Sequence, residues 1–294
     1  MKPAAFDYVR PASLAEAIVL LSQAQGSAQG SAQASAQGSR GDAPIDVQVM
    51  AGGQSLVAMM NLRVASPGLV IDIGRLAELR AVSETADYVA LGACVTHAAI
   101  EDRLVPDPSR GLMPSVAANL AYRAVRTRGT LGGSLALSDP AADWPATMAA
   151  LDAQVVLRGP RGERSVAAVA FATGIYQTVR AADEIIASIR IPKLSPQGRW
   201  GYAKFCRKSG EFAESIAAVV CDPARAYARA VLGAADGPPI VLPRTSALLA
   251  AGKAAAADAC KRALAEDLGA NDFDDFKASL HTAMVMRAIG QVLA

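Results

Sequence analysis

The stretch 51-AGGQSL-56 follows an apolar approach, Val47-Gln-Val-Met50, and sets two adjacent glycines before an amide and a hydroxyl. Missing side chains at the end of a strand have two physical uses: the backbone can take positive φ, or something can approach it closely. A second stretch, 129-GTLGGSLALSDPAADWP-145, repeats the arrangement at 130-TLGGS-134, again where a regular element gives way to a loop. Consecutive N–H groups in such a turn converge on an anion with no Cβ in the path. One turn suits one phosphate, and two brought together by folding suit a pyrophosphate. Neither stretch reads G-x-G-x-x-G after a strand, and no G-x-x-x-x-G-K-[ST] occurs, which argues against a Rossmann site or a P-loop.

Around these turns the chain reads as a folded protein of 294 residues, 52% hydrophobic and 19% charged, with room for two domains. Its 29 basic and 27 acidic residues are interspersed, so a net charge of +2 offers no electrostatic case for nucleic acid. The densest basic cluster, Arg123-Ala-Val-Arg-Thr-Arg128, reads equally as a solvated helix end or a functional group of charges. Cys94, Cys206, Cys221 and Cys260 stand far apart with no C-x-x-C pair, so reduced, mostly buried thiols are expected and no iron–sulfur centre in this chain. With only His97 and His281, most zinc sites and Ser-His-Asp arrangements are excluded. His97 is expected on a helix surface and Trp144 in the packing. The amino-terminal MKPAAFDYVRP lacks an apolar core of signal-peptide length and no segment has bilayer-spanning apolar length, from which a cytoplasmic location is expected.

Along the chain, Ser13-Leu-Ala-Glu16 forms a capping box ahead of Leu14, Ala17, Ile18 and Leu21 at helical spacing, predicting a helix over 13–22. The Ala/Gln/Gly/Ser tract that follows predicts a flexible surface loop over 23–43. Strands are expected at Val47–Met50, Leu69–Ile73 and Tyr88–Ala93, with Thr96 capping a short helix. A helix is expected from Leu112 to about Arg126 with Pro114 in its first turn, then one near Ala146–Leu151. Gln154–Leu157 and the turn Gly159-Pro-Arg-Gly162 suggest a hairpin. Alternation of Ile185, Ala187, Ile189 and Ile191 argues for a strand ended by Pro192. Residues 193–198 mark a junction, beyond which strands near Gly201–Arg207, Ala213–Asp222 and Ala226–Ala234 should pair. Phe276, Leu280, Ala283, Met284 and Arg287 then line a last helix. The whole is α+β, an antiparallel sheet covered by helices, divided into 1–192 and 193–294.

The series 51-AGGQSL-56, 125-VRTRGTLGGSLALSDPAADWPA-146, 183-DEIIASIRIP-192 and 202-YAKFCRKSGEFA-213, in that order, resembles the FAD-binding medium subunit of molybdenum hydroxylases. That family includes carbon monoxide dehydrogenase medium subunits and the flavin domain of xanthine dehydrogenase. The resemblance implies a flavin fold of the vanillyl-alcohol-oxidase (PCMH) type over 1–192 and a smaller antiparallel-sheet-plus-helices domain over 193–294. It implies that FAD is the cofactor and that its pyrophosphate lies between a wall of Ala51, Gly52, Gly53, Gln54 and Ser55 and a wall of Thr130, Gly132, Gly133 and Ser134. Asp143 matches a carboxylate that hydrogen-bonds FAD hydroxyls, and Lys204 a lysine near the flavin ring. The segment from Leu120 to Ala124 matches backbone lying against the cofactor, and Ile186 or Ala187 an apolar contact to the ring. From the residues alone, Asp143 reads also as the cap of the helix begun by Trp144-Pro145, and Asp139-Pro140 as a turn.

The resemblance further implies a heterotrimer, or its dimer. A large subunit would carry the molybdenum cofactor and oxidise the substrate, and a small subunit would carry [2Fe–2S] clusters. FAD in this chain would pass electrons on to NAD⁺, a quinone or dioxygen. No nucleophile, base pair or metal cluster is then needed here, because the cofactor carries the redox chemistry. Two other functions fit the same turns: a self-contained FAD-dependent oxidoreductase of the same fold, which would turn over its substrate alone, and a nucleotide-binding scaffold without catalysis.

Overall fold

A computed structural model describes residues 2–36, 46–252 and 257–294. The amino-terminal part alternates β1 (Asp7–Val9), α1 (Leu14–Ala36), β2 (Val47–Met50), α2 (Leu56–Asn61) and β3 (Leu69–Asp72). Its strands pair in parallel in the order β1-β3-β2, which makes the strand feeding the first glycine turn a sheet edge. Leu14, Ala17 and Leu21 of α1 pack on Val47, Ile71 and Ile73. Ser13 caps α1 by accepting from the Glu16 amide at 3.1 Å, while the Glu16 carboxylate takes the Ala12 amide rather than that of Ser13.

The expected end of this helix at residue 22 is corrected: α1 continues to Ala36, so 23–36 are helical rather than loop. Ala and Gln are strong helix formers and no proline interrupts them, so an element already nucleated and docked propagates through them. Residues 37–43 of the expected loop lie outside the described residues.

The middle part runs α3 (Ala77–Arg80), β4 (Val82–Glu84), β5 (Tyr88–Gly92), α4 (His97–Glu101), α5 (Leu112–Ala118), α6 (Arg123–Arg126), α7 (Leu131–Leu137), α8 (Asp143–Ala150), β6 (Gln154–Gly159), β7 (Gly162–Ala167), β8 (Ala172–Gly174), β9 (Gln177–Thr178) and β10 (Ile185–Pro192). Five of these strands form an antiparallel sheet in the order β4-β5-β10-β6-β7. The hairpin expected from Gln154–Leu157 and the 159–162 turn is present as β6 and β7, with Gly159 opposite Gly162. The expected alternation in β10 breaks once, at a bulge around Ala187. Ile189 and Ile191 therefore face one core, while Ile185 lies in another with Ala187 packed beside it. A helix spanning 112–126 is not formed: α5 ends at Ala118, Ala121 takes φ +35°, and α6 starts afresh at Arg123.

The carboxy-terminal part contains β11 (Arg199–Phe205), β12 (Ser215–Asp222), β13 (Tyr227–Gly233) and β14 (Ile240–Val241), an antiparallel sheet in chain order, followed by α9 (Pro243–Ala250), α10 (Ala257–Leu268) and α11 (Asp275–Leu293). β12 is the middle of three long strands and is covered on both faces, so its apolar run IAAVV is buried throughout. On one face α8, buried at every residue, joins this sheet to the five-stranded sheet in a continuous core around Trp144. On the other face α9, α10 and α11 cover it. The inward stripe of α11 is His281, Met284, Val285, Ala288, Ile289 and Val292. This corrects the expected stripe, since Phe276 is 67% exposed and Ala283 and Arg287 face out. The close approach of α11 to β11, where a Cβ on Gly201 would sit 1.9 Å from the Ala288 carbonyl oxygen, fixes which face turns in.

Candidate functional site

The two glycine turns meet. A Cβ on Gly52 would lie 2.1 Å from the Arg128 carbonyl oxygen and 2.9 Å from the Gly129 Cα. The group for which the Gly52 side chain is missing is therefore the backbone of the other turn. Gly53 takes φ +73°, the left-handed region that a Cβ disfavours, and turns the chain into α2. Among the described residues the N–H groups of Gly52, Gly53, Gln54 and Ser55 have no acceptor, and Ser55 is exposed. Four successive uncommitted amides beside a positive-φ glycine make a concavity suited to an anion.

The second turn is built differently from the expectation. Thr130 is the N-cap of α7, so Gly132 and Gly133 lie in the first turn of a helix, without positive φ. Its amides are committed. Leu131 donates to the Val95 carbonyl at 3.0 Å, Gly132 to Ala93 at 2.9 Å, Gly133 to Thr130 Oγ1 at 3.1 Å and Ser134 to the Thr130 carbonyl at 3.0 Å. What this wall can offer a ligand is the Thr130 N–H, which has no acceptor among the described residues, and the hydroxyls of Thr130 and Ser134. Of the two turns expected to offer amides, the first leaves four in succession uncommitted and the second only that of Thr130. Gly132 is needed because a Cβ there would come 2.5 Å from that of Ala93. A Cβ on Gly133 would meet Thr130 Oγ1 at 2.8 Å and face the Ala51 methyl at 3.7 Å, inside the seam between the turns.

The α4 region locks the second turn in place. Thr96 bridges Thr130, and the His97 amide donates to the Gly129 carbonyl at 2.9 Å. His97 is buried, at 8% exposure, which corrects its expected surface position. Its Nδ1 accepts from Trp144 Nε1 at 3.1 Å, and burial, followed by the nearby Arg126 charge, lowers its pKa to about 4. A neutral imidazole thus ties the turn to the central helix.

Ala187 sits at the same seam: its carbonyl accepts from the Ala93 amide at 3.0 Å, and it is partly exposed beside Ala51. Ile186 points into the main core at 4% exposure, so of the two expected apolar contacts Ala187 is the available one.

A second group forms at the start of α8. Asp143, at 4% exposure, is not the helix cap, a position held by Ala142. Its Oδ1 accepts from the Tyr202 phenol and from Lys204 Nζ at 3.2 Å, and Oδ2 faces the same Nζ at 3.4 Å. Lys204 also donates to the Asn119 carbonyl at 2.7 Å. Burial pushes the Asp143 carboxyl above its usual range, against the opposing pull of the Lys204 charge and the Tyr202 hydrogen bond. The same burial, with the Asp143 charge, raises Tyr202 well above the ordinary phenol value, so the phenol stays protonated and is the donor.

The two groups are joined by residues 119–129. Lys204 grips this segment at Asn119, and Gly52 abuts it at Arg128. Between them Arg126 donates to the carbonyls of Leu120 at 2.7 Å and Ala121 at 3.2 Å, and makes a two-pronged pair with Glu101. The hydrogen bonds of Arg126 and Arg123 hold the Glu101 carboxyl below its usual range. Within the basic cluster of 123–128, Arg126 is thus an internal clamp, Arg123 pairs with Glu101 and Asp102 at the surface, and Arg128 is exposed. Ala124 and Tyr122 are exposed on it, the latter with its ring over Gly210. Asn119 and Tyr202 were not picked out as site residues from sequence, and His97 was placed on a helix surface. Tyr202 carried a signal, since it stands two residues before Lys204 on one strand and so shares its face.

A family profile described as the FAD binding domain in molybdopterin dehydrogenase matches residues 4–194. The chain is 38% identical over 224 residues to the nicotine 6-hydroxylase medium subunit of Paenarthrobacter nicotinovorans, covering 76% of this chain and 71% of that protein. It is 37% identical over 224 residues to the carbon monoxide dehydrogenase medium chain of Hydrogenophaga pseudoflava, covering 75% and 70%. Among solved structures, carbon monoxide dehydrogenase from Hydrogenophaga pseudoflava, lacking the Mo-pyranopterin moiety of its molybdenum cofactor, matches with a TM-score of 0.86. That match is at 31% identity over 100% of this chain and 99% of the other. Quinoline 2-oxidoreductase from Pseudomonas putida 86 matches with a TM-score of 0.81 at 30% identity over 99% and 98%. The chain belongs to the FAD-binding family of molybdopterin dehydrogenases, as an oxidoreductase medium subunit of the molybdenum hydroxylase type.

Proposed function

We propose that this chain is the FAD-carrying electron-transfer subunit of a molybdenum hydroxylase complex. It would receive electrons from [2Fe–2S] clusters of a small partner subunit and pass them to an external acceptor, while a large molybdenum-binding subunit oxidises the substrate. The reading is supported above all by one observation: the two glycine turns, 78 positions apart at Gly52 and Thr130, abut each other, and the first leaves the amides of Gly52–Ser55 without acceptors among the described residues. The residues fit the group. The amides of Gly52, Gly53, Gln54 and Ser55 would hold the diphosphate, and the hydroxyls of Thr130 and Ser134 would close the other side. Asp143 would accept from a cofactor hydroxyl, Lys204 would place a cation by the ring, and Leu120, Ala124 and Ala187 would line it.

When bound, FAD supplies the exchange between single and paired electrons that such a relay needs. The chain's own contribution is to orient the cofactor through the clamped 119–129 segment and to keep a buried, neutralised carboxylate–ammonium pair beside it. The division into an FAD-binding region, 1–192, and a carboxy-terminal domain, 193–294, belongs to the same proposal. It is supported by the family match ending at 194 and by the separate helical cover of the last sheet.

Two measurements test it. The purified chain should show a flavin absorption spectrum and release FAD on heating. A tagged chain isolated from its host should bring down a large molybdenum-containing chain and a small cysteine-rich one. A chain free of flavin would refute the cofactor. Turnover of an organic substrate by the chain alone would refute the relay and favour a self-contained oxidoreductase.

A further inference from the structure

The buried Asp143 has more partners than a ligand-binding carboxylate needs. Oδ1 receives both the Tyr202 phenol and Lys204 Nζ, whereas from side chains Oδ2 receives the long contact to Lys204 at 3.4 Å; the carboxylate also takes a hydrogen bond from its own backbone. Lys204 spends its donors on Asn119 and on this carboxylate. The arrangement is asymmetric: one oxygen is saturated from within the protein and the other retains accepting capacity.

We propose that Tyr202 is a positioning residue: its phenol pins Oδ1 of Asp143 and keeps the carboxylate ionised beside Lys204, so that Oδ2 is presented to a hydroxyl of bound FAD. The proposal rests on the FAD reading above for its ligand, and on the geometry of Tyr202, Asp143 and Lys204 for its mechanism. A carboxylate this deeply buried is held in its charged form only by its partners, and a hydrogen bond from a neutral phenol to a charged oxygen is one of the strong ones.

The groups around Asp143 are few. From β11 come Tyr202 and Lys204, with Cys206 beyond Tyr202. From α5 and its end comes the Asn119 carbonyl, and α7 carries no titratable side chain. β12 runs past with Ile216 opposite Lys204 and Ala218 opposite Tyr202, leaving Cys221 and Asp222 at its far end. Tyr227 and Arg229 of β13, with Asp152, gather at the opposite end of α8, on the carbonyls of Ala150 and Ala149. Among the described residues no other charged side chain pairs with Asp143.

The test is Tyr202→Phe, which removes one oxygen and keeps the ring, with Tyr227→Phe as a control that loses a partly buried phenol bonded to the Ala150 carbonyl instead. FAD affinity of the full chain is measured across pH. Affinity that needs ionised Asp143 is full above the carboxyl's folded pKa and is lost as pH falls through it. In Tyr202→Phe this acid limb should move up by about one to two pH units, the worth of one charge-assisted hydrogen bond. Tyr227→Phe should leave the limb in place. An unmoved limb, or an affinity lowered equally at every pH, overturns the proposal. A readout without ligand separates this from failure of the FAD reading: the ¹³C-carboxyl signal of Asp143 should titrate at higher pH in Tyr202→Phe than in the parent chain. An unchanged titration overturns the role of Tyr202 whether or not the chain binds FAD.

Discussion

Gly52→Ala probes the seam between the turns with a single methyl group. The added Cβ would fall 2.1 Å from the Arg128 carbonyl oxygen, 2.7 Å from the Arg128 carbonyl carbon and 2.9 Å from the Gly129 Cα. All three are backbone atoms, so no side chain can swing aside. Ordinary carbon contacts lie at about 3.5 Å, so the turns would have to part by about 1.4 Å at their closest point. The second turn cannot retreat easily, because Leu131, Gly132 and His97 tie it to residues 93–97 and 129 by backbone hydrogen bonds. Over-packing of this kind costs roughly 1–3 kcal/mol. If the seam opens to relieve it, FAD affinity should fall roughly 5- to 150-fold, the same energy expressed as a ratio. The melting temperature should fall by roughly 2–12 °C.

Gly290→Ala is the matched control. It lies inside α11 with nothing within 4 Å of the added carbon, and should leave FAD binding alone while adding about 0.5–1 kcal/mol of stability. Thermal melts and FAD titrations of both variants decide the matter. A Gly52→Ala chain with parental affinity and melting temperature would show that the turns do not bear on each other as described.

Two further outcomes follow from the same geometry. Gly133→Val should lose FAD retention, because its Cβ would press on Thr130 Oγ1, breaking the α7 cap, and its methyls would enter the seam toward Ala51; flavin content equal to the parent's would contradict this. His97 should make the chain acid-sensitive. Its folded pKa of about 4 lies below the unfolded value near 6.5, so the unfolded state binds the extra proton in between. The contribution is intact above about pH 6.5 and drains away as pH falls toward 4, about 3 kcal/mol in all. Urea unfolding at stepped pH should show that limb in the parent and a flatter one in His97→Gln, which keeps an acceptor for Trp144; identical slopes would contradict the assignment.

Where the chain alternates apolar and polar residues, its sequence is a good guide to its structure. The β6–β7 hairpin follows from its turn residues and the strand 185–192 from period-2 patterning up to its bulge, and the long strands after 199 were expected near their places, although β12, buried on both faces, does not alternate. Elements whose formation depends on neighbours were harder to read. β1 is a short, largely exposed run held by parallel pairing to β3, by the Tyr8 phenol on Asp72 and by Val9 against the core, all partners remote in sequence. α7 hides in a glycine-rich stretch of poor helix propensity, and forms because Thr130 caps it and residues 93–95 hold its first amides. α5 stops where the Asn119–Ala121 carbonyls are drawn to Lys204, remote in sequence, and to Arg126 in the following helix.

The candidate site divides along the same line. That both glycine pairs serve one seam was legible from their repetition. Which amides stay free was not, because that depends on which carbonyls lie opposite. His97 read as a surface residue because nothing local announced Trp144 as its partner.

A crystal structure of the chain with FAD tests the central claim most directly. The account predicts diphosphate oxygens within about 3.2 Å of the Gly52–Ser55 amides, with the Thr130 and Ser134 hydroxyls across from them. A diphosphate bound away from the seam, with those four amides still facing solvent, would contradict it.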